Sequence, residues 1–280
     1  MSKEAKNYPI IKLCQVMRVS ASSYYEWLKP HTSARQVENQ KLRKIAKMEY
    51  EKSNGTYGRR RLKTAVNESL DLKVSINRIE RRMKELKIMG YTPPAFRITT
   101  IGDPLLEDSP NLIKDAEANN INEIWVSDIT YVNTKEGWLY LCTIMDLCSR
   151  KIVGWSMQSN MKVKLVIDAF NSAVKSRKPK GKVIFHSDKG GQYKAKKFRR
   201  RLKNAGFEQS MTGVNHCYDN AAAESFFGTL KRELIRGKIF ETRQDAEMAI
   251  FEYIEKFYNR RRIHSSIGNV SPEKFEEKIA

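Results

Sequence analysis

The sequence is poor in cysteine, and the four cysteines that it has form no metal-binding pattern. Cys14, Cys142, Cys148 and Cys217 lie far apart without CxxC spacing, which fits buried thiols in a reducing compartment. His216 precedes Cys217, but no second pair of His and Cys lies at ligand spacing. We therefore expect no structural zinc site.

Long hydrophobic runs are also missing. No apolar stretch approaches 18 residues, and the N-terminal sequence MSKEAKNYP lacks the apolar core of a secretory signal. These absences predict a soluble protein of the cytoplasm.

Acidic residues are scarce relative to basic ones. There are 32 Asp and Glu against 52 Lys and Arg, which gives a net charge of +20 and a pI near 9.8. This excess suits a polyanionic partner such as nucleic acid. Residues 1–97 hold 22 basic and 9 acidic side chains, whereas residues 98–280 hold 30 and 23. The first third is therefore predicted to be the part that reads DNA.

Among the acidic residues that are present, Asp188 follows a predicted strand. Val183 to Phe185 read as a short buried strand, and Gly190 marks the turn after Asp188. The strand therefore places Asp188 at its C-terminal end, where α/β sheets bind ligands.

Glu224 stands near the start of a predicted helix. Asp219 and Asn220 are suitable N-cap residues before Ala221–Ala223, and the helix is expected to continue to about Arg236. A carboxylate in the first turn is favoured by the helix dipole.

A third carboxylate makes a functional site more plausible than two common structural residues would. Asp128 lies in the middle of a predicted strand from Glu123 to Val132, among apolar neighbours, and a charge in that position needs a partner. Three carboxylates from two strands and a helix could converge on Mg²⁺, which prefers oxygen ligands. Asp146 competes with Asp128 as the first ligand, although its place beside a turn is typical of a structural Asp.

Five segments carry a family resemblance: WVSDITYV, GWLYLCTIMDLCSRKIVGW, HSDKGGQY, DNAAAESFFGTLKRE and YNRRRIHSSIG. They resemble the integrase core of the IS-three family of bacterial insertion-sequence transposases, specifically the product of the second reading frame. The similarity runs from about residue 110 to the C-terminus and is weaker through the first third.

The resemblance implies an α/β fold with a ribonuclease H-like integrase catalytic core. That core has a mixed five-stranded sheet with flanking helices and follows an all-α helix-turn-helix region. The resemblance implies that Asp128, Asp188 and Glu224 form the catalytic, metal-binding triad, with 35 residues between the last two. Retroviral integrases also have an N-terminal zinc module, but here that region offers only Cys14 and His31.

The same resemblance implies the cofactor and the partners. Two Mg²⁺ ions are expected per active site, with Mn²⁺ as a substitute. The expected partners are the inverted-repeat ends of a transposon, a target DNA and further copies of the chain, in a dimer or larger assembly. A first-frame companion protein, fused upstream by frameshifting, and a location at the bacterial nucleoid are also implied.

The chain is predicted to divide into four parts. Residues 1–53 form a helical, helix-turn-helix region, residues 54–92 a second region of this type, residues 93–110 a linker, and residues 111–280 the catalytic core with its C-terminal helix. The helix from Arg35 to Lys52 is interpreted as a polar connector.

Basic residues are the candidates for DNA contact. Six of them cluster on two predicted helices in a helix-turn-helix arrangement, which would place a recognition helix in a major groove: Arg59, Arg60, Arg61, Arg78, Arg81 and Arg82. A solvated charged face is the alternative. Three more follow the C-terminal helix of the core and could guide DNA: Arg260, Arg261 and Arg262.

Lys231 is the last candidate. It lies seven residues, or two helical turns, after Glu224, so its ammonium is expected about 10 Å further along the helix. That distance suits DNA next to the reacting phosphate, with an exposed lysine in solvent as the alternative.

The sequence therefore predicts a transposase, a polynucleotidyl transferase that cleaves and joins DNA strands at the ends of its own element. Two alternatives stay open. One is a metal-dependent nuclease that does not join strands, and the other is a DNA-binding repressor that keeps the core only as a scaffold.

Overall fold

A five-stranded sheet lies at the centre of the C-terminal two thirds of the chain in this computed structural model, which describes residues 7–28, 33–71, 73–90, 108–114, 118–213 and 221–279. The strand order is β3-β2-β1-β4-β5. The strands are β1 (Ile124–Thr134), β2 (Gly137–Asp146), β3 (Ile152–Gln158), β4 (Val183–Ser187) and β5 (Phe207–Met211). The first three form an antiparallel meander, and β4 and β5 run parallel to β1. The predicted mixed five-stranded sheet is confirmed.

Helices cover both faces of this sheet. The helices α6 (Val163–Arg177) and α8 (Lys196–Asn204) pack on one face, which we call the α6 face. The helices α9 (Ala221–Leu230) and α10 (Arg243–Phe251) pack on the other face, which we call the α9 face. On α9, Phe226, Phe227 and Leu230 are buried, as their helical spacing predicts for core residues.

Alternation along β1 divides its side chains between the two faces. Ile124 and Val126 belong to the core on the α9 face, whereas Trp125 belongs to the core on the α6 face. Successive residues of a strand point to opposite sides of the sheet, so this pattern fixes the face of every later residue in the strand.

Five helices precede the sheet: α1 (Ile10–Val16), α2 (Ala21–Leu28), α3 (Ala34–Lys52), α4 (Arg59–Leu70) and α5 (Ile76–Leu86). The interpretation of α3 as a connector is wrong. Leu42 and Ala46 of α3 are buried in the core with Leu62 of α4 and Ile79 of α5, and α3 packs on both helices. A division after residue 53 would separate helices that share a core.

The residues from Lys194 to Asn204 favour a single, strongly basic helix by sequence alone, but the structure divides this segment. The short helix α7 (Gly191–Lys194) is followed by Ala195, whose backbone is extended with φ −58° and ψ 130°, and α8 then begins. The break turns the chain at the carboxyl end of the sheet and lets α8 lie along its face.

Two helices of the α9 face continue in a wider, π-helical form. The segment Lys231–Ile235 extends α9 and the segment Glu252–Tyr258 extends α10. The chain closes with α11 (Pro272–Ile279), which the sequence analysis did not predict. Single π-helical turns are often found at functional sites.

Part of the sequence analysis falls outside the described residues. This applies to most of the linker at 93–110, to the caps Asp219 and Asn220, and to His31, His216 and Cys217. In the parts of the chain that the structure does describe, no helix combines the length and apolar character needed to cross a bilayer.

Candidate functional site

The first two carboxylates lie side by side at one edge of the sheet. Strands β1 and β4 are parallel, and Ser127 is paired with Ser187, so Asp128 and Asp188 are the next residues in register. Adjacent strands are about 4.8 Å apart. The sheet pairing therefore brings together two residues that are 60 positions apart in the sequence.

Both carboxylates belong to the α9 face. Asp128 is two positions beyond Val126, and Asp188 is four positions beyond Ile184, and both of these apolar residues pack on the α9 face. The helix α9 packs against β1, and the exposed side chain of Glu224 lies in its first turn. Three acidic residues thus surround one end of the sheet.

The pKa of Asp128 records this arrangement. Burial raises the pKa of Asp128 to about 7, and the negative charges of Asp188 and Glu224 act in the same direction. Two contacts oppose this rise: the backbone N–H of Ile129 donates to Oδ1 of Asp128 at 2.7 Å, and the positive charge of Lys231 favours the anion. Burial also raises the pKa of Asp188, which accepts a hydrogen bond from the N–H of Gly190 at 3.0 Å. The site therefore holds mutually repelling carboxyl groups that a cation would stabilise.

The donor set fits a hard divalent cation. All three side chains offer carboxylate oxygens, which are the ligands that Mg²⁺ prefers. Within the described ranges, no three His, Cys, Asp or Glu side chains stand close enough together to form a ready-made metal group. The charges of Asp188 and Glu224 do act on Asp128.

Lys231 contacts β1 and acts on the carboxylate site through its charge. Its Nζ is 5.3 Å from the centre of the Tyr131 ring on β1, and its positive charge acts on Asp128. Burial lowers the pKa of Lys231, while Asp128 raises it. The sequence analysis did not single out Tyr131. Its ring packs edge-on against the ring of Trp138, with 4.8 Å between the ring centres, and the ammonium of Lys231 lies over it.

Asp146 has a different environment. It is fully buried, and its oxygens accept hydrogen bonds from the N–H of Asn122 at 2.6 Å and the N–H of Ser149 at 2.9 Å. In the register of β1 and β2 it lies opposite Trp125, three positions before Asp128. Its contacts hold the turn after β2, in keeping with the structural role that its sequence position suggests.

Four of the six candidate arginines on α4 and α5 form ion pairs within the protein. Arg59 pairs with Glu80 at 2.9 Å, Arg78 with Glu38 at 2.7 Å, and Arg82 with Glu85 at 2.6 Å. By contrast, Arg60 and Arg81 are exposed and form no ion pair among the described residues. Among the six candidates on α4 and α5, these two are the ones that are exposed without an ion pair.

Arg262 does not fit the assignment to DNA contact. Only 4% of it is exposed, and its guanidinium donates to both oxygens of Glu233, at 2.8 and 2.9 Å. Glu233 also accepts from Tyr253 at 2.8 Å and pairs with Arg61 of α4 at 3.4 Å. The guanidinium of Arg262 is therefore turned into the protein, where it helps to join the three-helix unit to the region of the sheet.

The neighbours of Arg262 face the solvent. Arg260 lies 3.8 Å from Glu273, and Arg261 is exposed while its backbone oxygen accepts from Tyr57 at 2.9 Å. Within the run of three arginines, the first two can reach a partner and the third cannot.

Family models match this chain in three places. The model described as HTH-like domain matches residues 37–96, and two models described as Integrase core domain match residues 118–217 and 224–279. The HTH-like match covers α4, α5 and α3 from Val37 onward, which agrees with their shared core.

Curated relatives match along almost the whole chain. "Insertion element IS600 uncharacterized 31 kDa protein" of Shigella sonnei is 40% identical over 267 residues, covering 95% of this chain and 98% of that protein. "Transposase InsF for insertion sequence IS3A" of Escherichia coli strain K12 is 36% identical over 284 residues, covering 99% of this chain and 97% of that protein.

Two solved structures show weaker similarity. The catalytic core domain of the HTLV-2 integrase in complex with magnesium has a TM-score of 0.45 and 16% identity, covering 57% of this chain and 99% of that one. The intasome of simian T-cell lymphotropic virus has a TM-score of 0.48 and 13% identity, covering 82% of this chain and 73% of that one.

Proposed function

Because this chain belongs to the IS3 family of insertion-sequence transposases, we propose that it binds the inverted-repeat ends of its element and catalyses metal-dependent cleavage and joining of DNA strands. One observation carries the chemical part. The register of β1 and β4 places Asp128 beside Asp188 on the face where α9 presents Glu224. A phosphodiester at this edge of the sheet would meet three acidic side chains from different elements.

In this proposal, Asp128, Asp188 and Glu224 hold two Mg²⁺ ions, and Mn²⁺ can replace them. Ions bound there would stabilise the attacking and leaving oxygens of an in-line displacement at phosphorus. The protein contributes a rigid pair of strand ends for Asp128 and Asp188. It contributes Glu224 from a separate helix, α9, which packs on β1. Lys231 adds a positive charge beside Asp128, and its ammonium can also meet a phosphate next to the reacting one.

The DNA-reading part of the proposal assigns the transposon end to the three-helix unit. Arg60 at the start of α4 and Arg81 on α5 are exposed and can contact the duplex directly. Arg59, Arg78 and Arg82 are paired with glutamates, so each would have to exchange a carboxylate for a phosphate to bind DNA. Arg260 and Arg261 extend the accessible basic surface on the core.

Assembly completes the proposal. Several copies of the chain would act together on the paired ends, and a first-frame companion protein, fused upstream by frameshifting, would join them. The division into residues 1–53, 54–92, 93–110 and 111–280 is kept with one change, because the packing favours placing α3 with α4 and α5.

The experiment uses the full chain, candidate end duplexes and Mg²⁺, and it measures nicked and joined products on a denaturing gel. Glu224→Gln keeps the shape of the side chain but removes its charge, so we expect cleavage and joining to fall by at least a hundredfold, about 3 kcal/mol of barrier. Binding of end DNA without metal should stay within about twofold, since Glu224 contributes no attraction for phosphate.

Three results would contradict the proposal. Substantial Mg²⁺-dependent activity in the Gln variant would remove Glu224 from the site. Nicked products without joined ones from the wild-type protein would identify a nuclease. Specific end binding with neither product would identify a repressor.

A further inference from the structure

The helix α8 presents a basic surface that the proposed chemistry does not use. Six of its nine residues are Lys or Arg, and none is acidic. Phe198 and Leu202 anchor the helix in the core of the α6 face. With 100° of rotation per residue, Arg200 points directly away from that core, and Lys196 and Lys203 lie within about 60° of the same direction. We call these three residues the α8 surface.

The charges of the α8 surface are not neutralised by the protein. Lys196, Arg200 and Lys203 are exposed, and none of them forms an ion pair within the described ranges of the chain. This differs from the three-helix unit, where Arg59, Arg78 and Arg82 each have a carboxylate partner. A surface without internal counterions attracts an external polyanion more strongly.

The surface is long enough to follow several phosphates. Lys196 and Lys203 are seven residues apart, which corresponds to about 10 Å along the helix axis. Two exposed lysines, Lys180 and Lys182, lie just before β4, whose first residue Val183 pairs with Phe207, three residues after the end of α8. They extend the positive charge beyond the C-terminal end of the helix.

The α8 surface lies away from the three-helix unit, which is the part of the chain proposed to bind the transposon end. The cores of α3–α5 and of α9 and α10 belong to one continuous cluster on the α9 face, whereas α8 packs on the α6 face. The two surfaces are therefore on opposite sides of the sheet. Lys196 begins α8 eight residues after Asp188, at the edge where the carboxylates lie.

We infer that the α8 surface binds a second DNA duplex, namely the target into which the cleaved end is joined. The inference rests on the proposed function, since joining requires two DNA segments at one site. A duplex lying along α8 reaches the carboxylate edge at the Lys196 end, while the transposon end arrives from the side of the three-helix unit. Non-specific contacts from lysine and arginine to phosphates suit a target of no fixed sequence.

The test replaces Lys196, Arg200 and Lys203 by glutamine in the full chain. Glutamine is a good helix former, and all three positions face the solvent, so the fold should persist, as circular dichroism and thermal unfolding can verify. The protein is first saturated with unlabelled end duplex without divalent metal. Binding of a labelled duplex of unrelated sequence is then measured at several salt concentrations.

We expect the triple variant to bind the second duplex about tenfold more weakly near physiological salt. Its plot of log affinity against log salt should be flatter by roughly 2 to 3. With Mg²⁺, joining to a separate target should fall in parallel, while end binding and end cleavage stay within about twofold of the wild type.

A matched control removes the same amount of charge elsewhere. Three exposed lysines already pair with a carboxylate four residues away on their own helices, and together they form the control variant Lys47→Gln, Lys164→Gln, Lys256→Gln. This control should leave second-duplex binding and its salt dependence close to those of the wild type. An equal loss in the control would show a general effect of net charge and would overturn the inference.

Other outcomes are equally clear. Unchanged second-duplex binding in the α8 variant would overturn the inference. A matching loss of end binding would assign the surface to the transposon end and overturn it as well. A wild-type protein that binds two duplexes but cleaves neither would contradict the proposed function, while the binding measurement would still test the α8 surface.

Discussion

At the scale of single residues, the environment decides what each charged side chain can do. Arg261 and Arg262 are neighbours in one basic run, yet the first is exposed and the second is buried against Glu233. Asp128 and Asp146 are both strand residues in apolar surroundings. Asp146 is satisfied by backbone N–H groups, whereas Asp128 faces two further carboxylates and Lys231. Residue type alone does not distinguish these roles.

The raised pKa of Asp128 predicts how stability changes with pH. Between the ordinary pKa of 3.8 and the folded value of about 7, the unfolded chain releases this proton while the folded protein keeps it. The free energy of unfolding therefore decreases as the pH rises through this window, by an amount on the order of 1 kcal/mol or more. Asp128→Asn should flatten this decline in urea unfolding between pH 5.5 and 7.5, without divalent metal.

The effect of Mg²⁺ on thermal unfolding gives a second test of the same substitution. Mg²⁺ should raise the midpoint of thermal unfolding of the wild-type protein at pH 7.5 and have less effect on Asp128→Asn. Identical pH profiles for the two proteins would show that Asp128 is not the group that titrates.

Lys231 belongs to the same scale. Lys231→Ala removes a positive charge that favours the Asp128 anion, so the pH at which cleavage of short end duplexes is half-maximal should move upward. Lys231→Arg keeps the charge and should return the profile towards that of the wild type. A profile that is unchanged in the Ala variant would separate Lys231 from Asp128.

At the scale of elements, the contacts between the three-helix unit and the core rest on a few buried polar groups. Glu233 lies in the π-helical extension of α9 and connects Arg61 of α4 to Arg262 and Tyr253 of the C-terminal region. Burial and the charge of Arg262 lower the pKa of nearby His264 to about 3, so this histidine stays neutral at physiological pH. The arrangement leaves one buried carboxylate with several donors.

Removing one partner from this cluster should be costly. Arg262→Ala leaves Glu233 buried without its closest cation, so we expect a loss of about 3–5 kcal/mol in the free energy of unfolding. Arg261→Ala is the control, and its exposed side chain should cost no more than about 0.5 kcal/mol. Chemical denaturation measures both. Equal effects of the two substitutions would show that the buried pair contributes little.

At the scale of the whole molecule, the net charge of +20 is spread over two sides of the sheet. The three-helix unit offers Arg60 and Arg81, and the opposite side offers the α8 surface. One protein that joins two DNA segments needs two such surfaces, with the reacting groups between them. Asp128 and Asp188 lie on the α9 face at one edge of the sheet, and α8 begins at the same edge on the opposite face.

This arrangement predicts separable binding defects. Arg60→Gln combined with Arg81→Gln should weaken binding of end duplexes and flatten its salt dependence by roughly 2, since two phosphate contacts are lost. Binding of a second, unrelated duplex should change little. Fluorescence anisotropy with differently labelled duplexes measures both in one protein. A loss confined to the second duplex would reverse the assignment of the two surfaces.

Much of the local structure could be predicted from the sequence, because it depends on neighbouring residues. The strands β1 and β4 follow from runs of apolar and β-branched residues, and Glu224 lies in the first turn of α9 as the Ala221–Ala223 run indicates. The break at Ala195 and the helix α11 were missed. In both cases packing against the rest of the chain competes with weak local preferences.

The sequence by itself determined which residues are acidic, basic or apolar, which short segments form strands or helices, and the excess of positive charge. Only the tertiary structure decided that Asp128 meets Asp188, that Arg262 is buried while Arg261 is not, and that α8 faces away from the three-helix unit. The physical reason is that strand register, helix packing and internal ion pairs join residues far apart in the chain. Those contacts depend on how the elements fit together, which no local pattern of residues specifies.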